Sequence, residues 1–164
     1  MTKIPFTSTF RSRGGDWLIG QGLIFVLYVW VLFRPFYRGT YVLDAGWLSF
    51  VGVFCTLFGI FMGISAFWAL GKSLTAFPAP VENGRLVSHG VYNWVRHPIY
   101  GSIILSGLGV AFWVQNLEAA LVGVVLLMFF RMKSASEEVF LEQKYPEYAA
   151  YRLKIRHRMI PFLW

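Results

Sequence analysis

Four apolar runs leave this chain few ways to fold. They cover about residues 17–33, 47–70, 99–114 and 117–130. A helix needs roughly 20 apolar residues to cross a bilayer, and in hydrocarbon an open strand or loop leaves its backbone groups unpaired. The second run is long enough by itself. The third and fourth are short and separated only by Gln115 and Asn116, which predicts a helical hairpin. The fourth is expected to continue past Arg131 as a polar helix leaving the membrane. Only 14% of the residues are charged, against about 25% in soluble domains. The expectation is an all-α polytopic membrane protein with four transmembrane helices and a cytoplasmic C-terminal helical segment. The length suits one domain over residues 1–164.

The formal charge of +7 raises nucleic acid as a partner. The basic residues, however, sit at the ends of the apolar runs rather than on one polar face, so anionic lipid headgroups account for them better. Lys3, Arg11 and Arg13 precede the first run. Lys72, Arg85 and Arg96 lie between the second and third, and seven more, from Arg131 to Arg158, follow the fourth. The other side carries only Arg34 and Arg38. The positive-inside rule then places both termini and the long middle loop in the cytoplasm. Arg34-Pro35 follows the first run without a small-residue cleavage pattern, so that run reads as a retained anchor and not a signal peptide. Cys55 reads as a small buried hydrophobe.

Small residues mark expected helix contacts. Gly52, Gly59 and Gly63 lie in the second run, and Ser102, Ser106 and Gly109 share a face of the third. Small faces let membrane helices approach closely. The middle loop, residues 71–89, holds Pro78, Pro80 and an Asn83-Gly84 turn signal. It is expected to be an extended cover.

Two polar clusters fall on the same predicted side. The first is Arg96-His97-Pro98-Ile99-Tyr100, at the mouth of the third run. Proline suits a first helical turn, and the Arg96 guanidinium presents a planar fork matched to a carboxylate or phosphate. On spacing alone, an arginine snorkelling to headgroups explains Arg96 as well as a site does. His97 reads as an acid/base group or as a solvated cap. The second cluster is Glu137-Glu138 on the outgoing helix, followed at helical spacing by Leu141, Tyr145 and Tyr148. It reads as a surface helix, or as carboxylates facing a cation or a ribose. Tyr92, Trp94 and Tyr100 are candidates to hold a sulfonium by cation–π attraction. Nothing has metal-ligand spacing, and no phosphate loop or serine elbow is present.

Leu86-Val87, Gly90, Tyr92 and Arg96-His97-Pro98-Ile99-Tyr100, with Glu137-Glu138, Leu141, Tyr145, Tyr148, Tyr151 and Ile160-Pro161, resemble the signature of the isoprenylcysteine carboxyl methyltransferase and phospholipid methyltransferase superfamily. The likeness spans about residues 74–161, and Pro78 and Pro80 look like bacterial members. The resemblance implies an integral membrane enzyme, in a bacterial-type inner membrane, that uses S-adenosylmethionine and methylates a lipophilic small molecule or lipid. Carboxylate, amine and thiol acceptors remain open. Carried over, the cofactor site would comprise Leu86, Val87, Gly90, Tyr92, His97, Pro98, Tyr100, Glu137 and Glu138. Arg96 would orient the acceptor, and Tyr100 would stand beside it at the reacting centre. Gly101 and Ser102 depart from the family pattern, in which glycine takes the second of these positions. The competing readings are a sterol-reductase-like enzyme with a nicotinamide cofactor and a non-catalytic membrane scaffold.

Overall fold

The computed structural model describes residues 10–38 and 46–161. All regular structure among these residues is helical: α1 (Gly15–Arg38), α2 (Gly46–Leu70), α3 (Pro98–Trp113), α4 (Leu117–Lys144) and the short α5 (Tyr148–Lys154). Among the described residues, three helices are long and apolar enough to cross a membrane, namely those at Gly15–Arg34, Gly46–Ser73 and Leu117–Lys144. The helix α3 is apolar but has only 16 residues.

The helices sit where apolar runs meet local stop and start signals. Pro98 occupies the first turn of α3, where its missing N–H costs nothing. Asn116 opens α4 by accepting a hydrogen bond from the Ala119 amide at 3.0 Å. The same side chain donates to the Val31 carbonyl of α1 at 3.2 Å. The helix α4 continues unbroken from apolar to polar sequence, as expected, and stops at Lys144 because Tyr145 precedes Pro146. A residue before proline is driven out of the α region, and Tyr145 is extended, with φ −119° and ψ 104°.

Successive helices alternate in direction. Along α2 and α3, glycines remove the side chains that would hold the backbones apart. A Cβ on Gly52 would meet the Gly109 carbonyl oxygen at 2.6 Å, and one on Gly63 would meet Ser102 Oγ at 2.9 Å. The small-residue faces expected from the sequence therefore do meet. The helix α1 lies against α4 through Gly20 and Phe129, and Tyr28 donates to the Gly107 carbonyl of α3 at 2.5 Å. At the α3–α4 turn, Arg34 pairs with Glu118. The outward faces of α1 and α2 stay apolar and exposed, with Phe50 at 81% and Trp68 at 80%, as expected of surface that meets lipid chains.

At the other end, the connection between α2 and α3 folds over the helix ends. The Gly84 amide donates to the Val81 carbonyl at 2.9 Å, closing the expected turn. Lys144 bonds the Val81 and Glu82 carbonyls. Arg13 lies 4.6 Å from the Phe77 ring centroid, and the Ala79 amide donates to the Arg13 carbonyl at 3.4 Å. The segment after α5 docks as an extended strap: Arg96 N–H donates to the His157 carbonyl at 3.1 Å and His97 N–H to the Arg158 carbonyl at 2.7 Å.

Candidate active site

These elements enclose a cavity of about 300 Å³, at the small end of ordinary small-molecule sites. On one side Leu70, Val87 and Ile99 pack with Tyr92. On another, Leu86 packs with Tyr145, Tyr148 and Tyr151. Arg96, His97, Tyr100 and Glu137 form a polar end, and Gln21, Lys133, Arg85, Ile103 and Leu141 line the rest with Pro80 and the segment 73–76.

Behind the polar end lies a buried ionic cluster. Glu138 is 3% exposed and receives Arg96 Nε–H at 2.9 Å and Arg158 Nη2–H at 2.9 Å. Arg96 Nη1 donates to the carbonyls of Ile155 (2.5 Å) and Arg156 (2.9 Å). A buried charge is tolerated when it is paired and hydrogen-bonded, and Glu138 is both. The carboxylate that the Arg96 fork meets therefore belongs to the chain itself, and the fork ties the strap to α4.

His97 bridges the cluster and the cavity. Its Nε2 lies 3.2 Å from Glu138 Oε1, and its Nδ1 lies 3.5 Å from Glu137 Oε2. Both ring nitrogens face carboxylate oxygens, so both serve best as donors, which is the imidazolium form. Burial works against that charge, but the bonds to Glu137 and Glu138 outweigh it and raise the pKa above the ordinary value. Tyr100 donates to Glu137 Oε2 at 2.8 Å. Its ring stacks on His97 and on Phe130, with centroids 5.6 Å and 4.7 Å away.

Leu86, Val87, Tyr92, Arg96, His97, Tyr100 and Glu137 line one cavity. Glu138, Pro98 and Gly90 do not. Glu138 lies in the ionic cluster and Pro98 starts α3. Gly90 turns the chain with a positive φ of 61° into the short 3-10 turn Gly90–Asn93. Of the aromatics considered for a sulfonium, Trp94 is half exposed and outside the cavity, and the Tyr100 ring is already stacked. Tyr92 remains.

Sequence reasoning missed Gln21 and Lys133. In the sequence Lys133 reads as one of the basic residues that follow the fourth run. It is instead 1% exposed and donates to Gln21 Oε1 at 2.5 Å and the Ala76 carbonyl at 3.1 Å. The signal was available in its spacing: Lys133 stands one helical turn before Glu137 and shares its face. The Tyr148 hydroxyl is also notable. It is buried and has no hydrogen-bond partner among the described residues, although such groups nearly always have one. Gly101 explains the local departure in sequence. A Cβ there would run into the Met159 carbonyl, while Ser102 packs toward Gly63 of α2. The two positions serve the strap and the α2 contact respectively.

The profile of the family described as "Phospholipid methyltransferase" matches residues 47–148. A probable protein-S-isoprenylcysteine O-methyltransferase of Oryza sativa subsp. indica is 30% identical over 120 residues, which are 71% of this chain and 62% of that protein. The protein-S-isoprenylcysteine O-methyltransferase of Schizosaccharomyces pombe is 28% identical over 142 residues, 84% of this chain and 59% of that protein. The chain thus spans about three-fifths of the length of these curated relatives. A solved structure of the eukaryotic intramembrane Ras methyltransferase, an isoprenylcysteine carboxyl methyltransferase, has a TM-score of 0.62 at 22% identity. The match covers 92% of this chain and 53% of that one, and it shows a shared fold.

Proposed function

The chain belongs to the phospholipid methyltransferase family, and from that premise we propose that it transfers a methyl group from S-adenosylmethionine to a lipophilic acceptor at the cytoplasmic face of a membrane. The observation that carries this reading is the cavity itself. It has apolar walls and one carboxylate-bearing end, and it sits at the ends of helices apolar enough to lie in a bilayer.

The residues present fit the cofactor. Glu137 supplies a carboxylate at the cavity surface, suited to ribose hydroxyls or to a positive sulfonium. The unpartnered Tyr148 hydroxyl offers a further hydrogen-bonding group, and the Leu86–Val87 wall suits an apolar ring. When bound, the cofactor supplies an activated methyl group on sulfur.

The chain's own contribution is placement. His97, held as a cation between two carboxylates, and the Tyr100 hydroxyl both fix Glu137 through its Oε2. Arg96 acts through Glu138 and the strap as a positioning residue. Lys133 places a cation on the wall reached from α1 and α4. Aligning the reactants and excluding water is the main catalytic demand of such a transfer. A carboxylate or thiolate acceptor needs no base. Four membrane passes, with both termini and the strap cytoplasmic, complete the reading, and the charge distribution supports them.

The test is transfer of a radiolabelled methyl group from S-adenosylmethionine into the organic-extractable fraction of membrane lipids, using purified protein in nanodiscs. Label appearing with wild type and lost with Glu137→Gln is the expected result. No label, together with thermal stabilisation by a nicotinamide dinucleotide, would overturn it in favour of a reductase.

A further inference from the structure

Resting on that reading, we propose that Gln21 is a positioning residue of the site: its amide oxygen holds the Lys133 ammonium in the cavity wall without neutralising it, so that Lys133 can bind an anionic group of a ligand. Gln21 belongs to α1 and lies outside the residues that the family profile matches.

Lys133 is 1% exposed and lines the cavity. Among the described residues, no carboxylate lies within ion-pair distance of its nitrogen. An ammonium has three donors and no acceptor. Gln21 Oε1 takes one at 2.5 Å and the Ala76 carbonyl takes another at 3.1 Å. Both partners are neutral, so the charge is solvated but not cancelled. A glutamate at position 21 would have the same reach and would form a closed ion pair. The ammonium also lies 5.4 Å from the Tyr100 ring centroid, a further uncharged neighbour, so glutamine keeps the position and leaves the charge for an anionic group that enters. Glu137, one turn further along α4, carries the opposite charge on the same cavity surface. The cavity is therefore polarised: its cationic wall suits a carboxylate or phosphate, while Glu137 suits a cation.

This pairing also gives α1 a role in the site. Its N-terminal approach is fastened to the loop beside Ala76 through Arg13, Phe77 and Ala79. Gln21, Ala76 and Lys133 thus join three separate stretches of chain at one ammonium.

The experiment compares wild type, Gln21→Glu and Gln21→Met in nanodiscs, each first shown to be folded by its thermal transition. Three probes are titrated: laurate, the matched neutral dodecanol, and S-adenosylmethionine. We expect Gln21→Glu to weaken one anionic probe roughly tenfold or more, since hydrogen bonds to charged groups contribute about 1.5–3 kcal/mol, and to leave dodecanol unchanged. Gln21→Met should weaken the same probe to a lesser degree. Loss confined to laurate identifies the acceptor's anionic group as the ligand. Loss confined to S-adenosylmethionine identifies the cofactor's carboxylate. Equal binding of all three probes by all three proteins overturns the proposal, and so does parallel weakening of laurate and dodecanol. Failure of wild type to bind S-adenosylmethionine sinks the functional reading alone, because the laurate–dodecanol comparison still decides the role of Gln21.

Discussion

Glu137 and Glu138 are adjacent in sequence but belong to different environments, and the difference sets what each does. Glu138 pairs with Arg96 and Arg158 in a buried cluster. Glu137 faces the cavity. Removing one member of a buried pair leaves an uncompensated charge, which costs about 3–5 kcal/mol. Glu138→Ala should therefore lower unfolding stability by an amount in that range. Glu137→Gln should lower stability less, because the His97 imidazole can give up its proton when that partner is lost, and should weaken ligand binding. Chemical denaturation beside a binding titration separates the two, and the reverse pattern would exchange their roles. His97 adds a pH signature. Its pKa is raised in the folded protein because Glu137 and Glu138 outweigh the opposing effect of burial. Such a group stabilises the fold fully below its unfolded value of about 6.5, and that contribution is lost as pH rises through the folded value. The His97 ring faces Glu137, Glu138 and Tyr100. The stability difference between wild type and His97→Gln should shrink as pH climbs above 7. A difference that stays constant from pH 6 to 9 would contradict an imidazolium.

Among the elements, the strap depends most on a single side chain being absent. Gly101 lets the Met159 carbonyl reach α3. Gly101→Ala forces backbone apart, and overpacking of this kind costs about 1–3 kcal/mol. Tryptic cleavage after Arg156 should accelerate in that variant, and cleavage at the wild-type rate would show that the strap does not need the contact. The helices themselves were legible in the sequence because an apolar run, a first-turn proline and an asparagine cap each leave local marks. The extent of α4 beyond Arg131 and the small-residue contact between α2 and α3 were legible for the same reason. The cavity was only half legible. His97, Tyr100 and Glu137 stand out as ionisable or phenolic groups beside apolar runs. Gln21 looks like an ordinary polar residue in an anchor helix, and Lys133 looks like one more flanking cation. Their meeting depends on how α1 is rotated against α4, which no linear pattern records. The spacing of Leu141, Tyr145 and Tyr148 suggested one continuous helical face. Pro146 ends α4 first, and the three side chains reach the cavity from two helices and a turn.

For the whole molecule, the alternating helices put the N-terminal end of α1, the cavity and α5 at one end, and the α3–α4 turn at the other. The basic residues gather at the cavity end, although not all of them face headgroups: Arg158 is held by Glu138 and Arg152 by Glu142. Orientation is testable because Cys55 is the only cysteine. In a Cys55→Ser background, Arg11→Cys and Leu153→Cys should react with an impermeant maleimide from the cytoplasmic side, and Gln115→Cys from the opposite side. Labelling of all three from one side would rule out the four-pass arrangement. Whether the cavity takes the cofactor is read by calorimetric titration of S-adenosylmethionine into the purified protein in nanodiscs, with Glu137→Gln and His97→Ala alongside. Saturable binding by wild type, weakened roughly tenfold or more in both variants while they remain folded, is the predicted result. A folded wild-type protein that takes up no S-adenosylmethionine would contradict the account.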